Sequence, residues 1–247
     1  MESNSKSNYW YDLHVHSCLS SCGQSENTPL NIIKQCKKNG LNLISITDHN
    51  SAKHYHTIEI LKKYFDICII YGMEVTSQEG YHVLCYFESY EKLRKFDDFI
   101  ESNIDMEIKN PYAPSILTDE YGNMIDEVYH MINQPIKCSY ELLAKTVRSL
   151  DGIIVLAHVN RGGSGILDFH KDISNFDFDA IEISKNGDLS LDMENIKKEL
   201  FQKYPYLEKY KKLYNSDGHS LDRIHKQVYS IDLFECSFEG FKEWIKR

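Results

Sequence analysis

Three things are scarce in this sequence. No apolar run approaches the roughly 18 residues that a membrane span needs, and residues 1–8 are polar, without the apolar centre of a secretion signal. Positive charge is in deficit: 28 Lys and Arg against 37 Asp and Glu leave a formal charge of −9. That balance disfavours a surface made to grip long nucleic acid, whose affinity comes from cations meeting phosphates. A small phosphorylated substrate is still compatible, since bound metal ions can supply local positive charge. Cysteine is neither dense nor even in number, with seven spread from residue 18 to residue 236. This excludes a disulfide-stapled secreted scaffold and favours a reducing compartment. The expectation is a cytoplasmic, unexported protein with no membrane partner.

A length of 247 residues, 42% of them hydrophobic, is enough to bury a full core. No repeat or low-complexity segment divides the chain. Residues 1–8 read as a disordered tail and 9–247 as a single domain. Short apolar runs rich in Ile, Val, Leu and Tyr at 10–15, 41–47, 67–71, 81–87, 153–158, 180–184 and 212–215 predict seven buried strands. Between them lie helical patterns. One spans Pro29–Lys38, with Thr28 as N-cap and Gly40 as stop; another spans Tyr140–Ser149 behind Ser139; and residues 239–246 are placed in an outer layer. Alternating strands and helices imply a mostly parallel α/β sheet, either a barrel or an open doubly wound sheet. Residues 103–138 break the rhythm with Pro111, Pro114, Pro135 and a turn at 121–123, and read as an insertion containing a hairpin.

Histidine placement carries the chemistry. His14 and His16 are two apart at the end of the first predicted strand, so a strand's alternation lets both reach one ion. Asp48 and His49 end the second strand, Glu74 the third and His158 a later one; His82 opens the fourth, and Asp217 and His219 follow the last. Strand ends are where α/β enzymes build their active sites. Imidazoles mixed with carboxylates, without a tight cysteine set, suit zinc, manganese or iron rather than calcium.

The ordered segments Asp12-Leu13-His14-Val15-His16-Ser17, Thr47-Asp48-His49, Gly72-Met73-Glu74, His82-Val83-Leu84, Ala157-His158 and Ser216-Asp217-Gly218-His219 resemble the motifs of the polymerase-and-histidinol-phosphatase (PHP) domain family across residues 12–219. The resemblance implies a distorted seven-stranded (β/α) barrel and a site for two or three divalent metals. In it His14, His16, Glu74 and Asp217 would hold one metal. Glu74 would bridge to a second, held with His82 and His158, and His49 and His219 would serve a third. One position departs from the pattern: five residues beyond His16, where many members carry an Asp or His ligand, stands Ser21. Either the adjacent Cys22 substitutes as a thiolate or the third site is weak or empty, Cys22 then being a loop thiol.

The function implied is phosphoester hydrolysis of a small phosphorylated metabolite or short nucleotide by a metal-activated water. Arg161, three residues past His158, is the candidate for binding phosphate oxygens. His219 and Asp48 are the candidates for protonating the leaving oxygen. Asp12 and Asp48 are expected to orient neighbouring imidazoles. His54 and His56 read as solvated or rim residues. Two alternatives stay open: a nuclease trimming oligonucleotide ends, and a binding or scaffold subunit of a larger assembly, with a protein partner such as an ATPase. Ligand chemistry alone also leaves room for an amide hydrolase, and it is the resemblance that disfavours it.

Overall fold

The structure is a computed structural model in which residues 6–109, 115–130, 132–186, 188 and 190–247 are described. The first half runs β1 (Ser7–Val15), α1 (Pro29–Lys38), β2 (Leu43–Ile46), α2 (Tyr55–Leu61), β3 (Cys68–Ile69), β4 (Tyr71–Thr76), β5 (His82–Phe87) and α3 (Tyr90–Glu101). It continues with β6 (Ser115–Thr118), β7 (Met124–Val128), α4 (Tyr140–Ser149), β8 (Ile153–Leu156), α5 (Ile166–Phe169) and β9 (Ala180–Glu182). The last elements are α6 (Met193–Lys203), β10 (Lys211–Leu213), β11 (Ser230–Leu233) and α7 (Phe238–Lys246).

The fold is mixed α/β. Strands pair as β11-β1-β2-β3 and as β10-β9-β8-β5-β4, with β6-β7 as a separate hairpin. Two parallel bridges join the larger sheets, Val15 of β1 to Gly218 after β10 and His49 after β2 to Glu74 of β4. The sheet is less parallel than the helix-strand alternation predicts, because β5 runs antiparallel to both β4 and β8. Only residues 77–81 link β4 to β5, too few for a crossover helix, so the chain must turn straight back. The predicted third strand also divides: β3 stops at Ile69, and Glu74 lies inside β4 rather than at a strand end.

Local chemistry explains the helices. Thr28 and Ser139 accept hydrogen bonds from Asn31 N and Leu142 N, satisfying N-terminal amides that would otherwise lack partners. Gly40 sits at φ +77°, the left-handed conformation that ends α1. Two apolar layers result. One lies between sheet and helices, with Ile32, Ile58, Phe96 and Val147 among its members. The other joins Tyr11, Leu13, Leu84, Tyr86 and Val155 to Phe238, Phe241 and Ile245 of α7. α7 therefore does more than cover an outer face: Phe241 meets Tyr86 edge-on at 5.8 Å, and the Tyr86 hydroxyl donates to the Leu13 carbonyl at 2.8 Å. β1 begins at Ser7, inside the stretch read as a tail, because Leu233 and Asp232 of β11 pair with Ser7 and Asn8. Residues 1–5 lie outside the described residues.

The insertion is docked by its main-chain groups and by apolar side chains, Val128, Ile132 and Leu117 packing on Leu19 while Ile104 and Ile136 enter the main core. The Asn50 amide donates to the carbonyls of Ile132 (2.6 Å) and Gln134 (2.7 Å). Ile116 N donates to Cys18 O, Thr118 N donates to His54 Nε2, and Thr57 Oγ1 donates to Thr118 O. The turn at 121–123 closes β6-β7, with Asp119 accepting from Tyr121 N and Asn123 N. Pro111 and Pro114 lie outside the described residues.

Phe241→Ala should cost about 3–5 kcal/mol in a denaturant titration, while truncating the exposed Phe234 should cost under about 0.5 kcal/mol. A second expectation concerns Asp97, which accepts from Ala52 N at 2.8 Å. Burial raises its carboxyl from 3.8 to about 6. The folded chain then holds this proton more tightly than the unfolded one, so stability falls as pH rises from about 4 to 6. Asp97→Asn should therefore stabilise by about 1–3 kcal/mol at pH 7 and be near neutral at pH 4, read from paired melting curves.

Candidate metal centre

All nine expected ligands converge: His14 and His16 at the end of β1, His49, His158, Asp217 and His219 beyond the ends of β2, β8 and β10, Glu74 in β4, His82 at the start of β5, and Cys22 in the loop after β1. His14 Nε2 and His16 Nε2 face each other at 3.1 Å. Asp217 Oδ1 stands 3.3 Å from the first and 3.1 Å from the second. Glu74 completes the group, its Oε1 at 3.4 Å from His14 and its Oε2 at 3.2 Å from His16. A tetrahedral ion with ligands at 2.0–2.2 Å has ligand-to-ligand edges of about 3.3–3.6 Å, close to this spacing.

Glu74 also faces outward from that group. Its Oε1 lies 3.0 Å from His82 Nδ1 and 3.0 Å from His158 Nε2, and its Oε2 lies 3.0 Å from His49 Nδ1. A third grouping brings His16, Cys22, His49 and His219 within 4.8 Å of one another. His49 thus stands between the Glu74 group and the outer one. Glu74 Oε2, Asp217 Oδ1 and His49 Nδ1 are buried, crowded by polar neighbours and yet without a hydrogen bond. Lone pairs that converge on a common point rather than on each other's protons suit cations.

The electrostatics agree. Burial would favour the neutral forms of Glu74 and Asp217, but the surrounding rings (His82, His14 and His49 for Glu74; His14 and His16 for Asp217) outweigh it and hold both well below the usual carboxylate range. Burial pushes His49 well below the usual imidazole range; burial and the neighbouring His16 bring His219 down to about 4. Both rings are thus neutral near pH 7, with nitrogen lone pairs available to an ion. Cys22 sits at the exposed lip. The protein around it and the carboxylates of Glu74, Asp217 and Asp48 push its thiol up to about 12, so an ion would be needed to make it a thiolate ligand.

The residue that sequence reading missed is Glu182, fully buried at the end of β9. Its carboxylate accepts from His14 Nδ1 at 3.0 Å, from the His158 backbone N–H at 2.8 Å and from Asn215 Nδ2 at 2.6 Å. By taking the Nδ1 proton it fixes the His14 tautomer and turns the Nε2 lone pair into the cluster. A Glu in the apolar run Ala180–Glu182 was the available signal. Asp12, expected in such a role, instead accepts from the backbones of Ser216 and His225. The ladder between β1 and β2 shifts register between Asp12 and Val15, which breaks the strict alternation linking Asp12 to His14.

Asp48 is buried and accepts from Ser17 N, Ser17 Oγ and Ser20 Oγ, while His16 Nδ1 meets Ser20 Oγ at 3.1 Å. His54 is not a rim residue: it is 1% exposed, with Nδ1 2.7 Å from Ser17 Oγ. Because Thr118 N–H needs Nε2 as acceptor, Nδ1 carries the proton and donates to Ser17. His56 is exposed, as expected. Arg161 is paired with Asp217 Oδ2, which leaves Oδ1 facing the cluster. His158 at φ +25° and Asp217 at φ +51° hold backbone conformations that non-glycine residues seldom adopt, which places local strain at two of the cluster's own residues.

Beside Asp217 and His219 opens a cavity of about 210 Å³ that Arg161, Lys185, Arg223 and His225 also line. A neighbouring one of about 440 Å³ shares Arg161 and Asn186 with it and adds Leu167, Leu191, Ile196, Leu200 and Tyr204.

Known proteins resemble this chain in fold and motif. Endonuclease Q from Pyrococcus furiosus superposes with a TM-score of 0.68 at 19% identity, covering 97% of this chain and 56% of that one. A two-domain protein from Bacteroides vulgatus, described as containing a PHP-like metal-dependent phosphoesterase, gives 0.53 at 15% identity, over 98% of this chain and 63% of the other. Among curated relatives, an uncharacterized Methanocaldococcus jannaschii protein is 34% identical over 77 residues, 28% of this chain and 45% of that protein. The chain thus spans under half of that relative and little more than half of endonuclease Q. The PHP domain model matches residues 12–224, most of the chain and every motif named above, and on that match the chain belongs to the PHP domain family.

Proposed function

We propose that this chain hydrolyses phosphate esters of small phosphorylated metabolites or short nucleotides, using two or three divalent metals. The observation that carries the reading is Glu74, one buried carboxylate with both oxygens shared between two sets of histidines. In this reading His14, His16, Asp217 and Glu74 hold the first ion, and His82, His158 and Glu74 the second. His49 and His219 hold a third, with Cys22 as the remaining donor. The strands β1, β2, β4, β5, β8, β9 and β10, with the two bridges that link the two sheets, serve as a distorted seven-stranded barrel around the cluster. When bound, zinc, manganese or iron supplies Lewis acidity, making water a nucleophile at neutral pH and drawing charge from phosphoryl oxygens.

The protein's own groups do the rest. Arg161 braces Asp217 and sets a guanidinium at the edge of the smaller cavity, where a phosphoryl oxygen would sit. Neither proton-donor candidate keeps that role in this reading: Asp48 is enclosed, the His54 and His16 rings with Ser17 holding its carboxyl at about 2 against burial, and His219, brought down to about 4 with Nδ1 turned to the Asp217 carbonyl, serves the third ion, so the leaving-group proton comes from solvent at the partly exposed mouth. The apolar side of the adjoining cavity suits an ester whose alcohol carries a flat or apolar body, such as a nucleoside. A nuclease reading draws on the likeness to endonuclease Q, one structure of which holds a 27-mer duplex with an abasic lesion at its active site. The formal charge of −9 weighs against long duplexes here, so short nucleotides are preferred.

Protein loaded with manganese, zinc or iron should release phosphate from members of a phosphomonoester and short-nucleotide panel, and the His14→Ala, His16→Ala double variant should fall to background. Cleavage of oligonucleotides without phosphate release would replace this reading with the nuclease one. Inertness of fully metallated protein on every ester would end both and direct attention to amide substrates or a protein partner. Glu182→Gln touches no ion in this arrangement, yet it should weaken metal affinity about 10–100-fold in a chelator-competition titration while the circular dichroism spectrum is kept.

A further inference from the structure

A second reactive centre lies at the opposite end of the strands. Cys68 pairs with Leu43 at the start of β2, whereas the metal ligands follow that strand's end. Cys236 lies between β11 and α7. The Cys68 N–H and the Cys236 thiol converge on one carbonyl oxygen, that of Asn42, at 2.9 and 3.7 Å. The two residues thus flank one backbone oxygen on the wall of a single cleft. Both are half-buried and line a cleft of about 660 Å³ with Lys62, Tyr71 and Phe238, so a small molecule can reach them. Of the other cysteines, Cys18, Cys36, Cys85 and Cys138 are buried, and Cys22 is at the metal centre.

We propose that Cys68 and Cys236 form a dithiol site that exchanges with small-molecule disulfides and closes reversibly into a Cys68–Cys236 disulfide. The two sulfurs are inequivalent. The neighbouring Cys236 and the Lys62 ammonium hold Cys68 below the usual thiol range, while the nearness of Cys68 and burial push Cys236 above it. Cys68 is therefore the attacking thiolate. It forms a bond to one sulfur of the small disulfide RS–SR, whose S–S bond breaks and releases RS⁻. Cys236 then gives up its proton and attacks the Cys68 sulfur of the mixed disulfide, expelling the second RS⁻. Two protein thiols are oxidised, one disulfide is reduced to two RSH, and the two protons end on the released thiols.

The test treats the reduced full-length chain with oxidised glutathione and reads intact mass and alkylation-mapped peptides. Wild type should become two hydrogens lighter, with a Cys68–Cys236 linked peptide that dithiothreitol opens. Cys236→Ser should stop at a single glutathione adduct on Cys68, and Cys68→Ser should leave Cys236 free. Should Cys68 and Cys236 remain alkylatable in treated wild type, or should the link join other cysteines, the proposal is overturned. None of these readouts depends on ester hydrolysis, so the two readings fail separately.

Discussion

The arrangement of the metal centre depends on one buried carboxylate that belongs to none of the ion groups. Glu182 gathers the His14 ring, the backbone of His158 and the Asn215 amide, which in turn accepts from Leu13 N. It therefore ties together β1 and the segments that follow β8 and β10. A bare carboxylate taken out of water is expensive, and partners directed at both oxygens are what make it tolerable. The resulting rigidity keeps His158 and Asp217 in backbone conformations that a looser site would let relax.

Charge balance explains the composition of the centre. Glu74, Asp217 and Glu182 are all held ionised within a few ångströms of rings of which His49 and His219 are neutral near pH 7. Arg161 answers only the outer oxygen of Asp217. Against burial, the same carboxylates hold His14 and His16 above the usual imidazole range, His16 at about 9, so the ions that this donor set suits would take the place of those two protons.

What could be read from sequence follows from how local each signal is. His14, His16, His49, His158, Asp217 and His219 were visible because each lies at the end of an apolar run, and the caps Thr28 and Ser139 because capping is decided within three residues. Glu182 hid inside its own short strand, and its importance comes from partners 24 and 168 residues away. β11 was missed because it has only four residues, one of them exposed, and becomes a strand by pairing with the chain's beginning. His54 looked solvated on a short helix, since it is Ser17 on one side and Thr118 of the insertion on the other, both distant in sequence, that enclose it. The direction of β5 was implicit in the brevity of its connection, but alternation of strand and helix elsewhere pointed the other way.

The insertion is gripped twice over, by its carbonyls and amide hydrogens at Cys18, Asn50, His54 and Thr57 and by Leu117, Val128 and Ile132 packed on Leu19. Only the inward half of the insertion is constrained this way: outward residues such as Met124, Ile125 and Tyr129 take no part in the anchoring, so they are free to drift while the geometry around Glu74 is inherited intact.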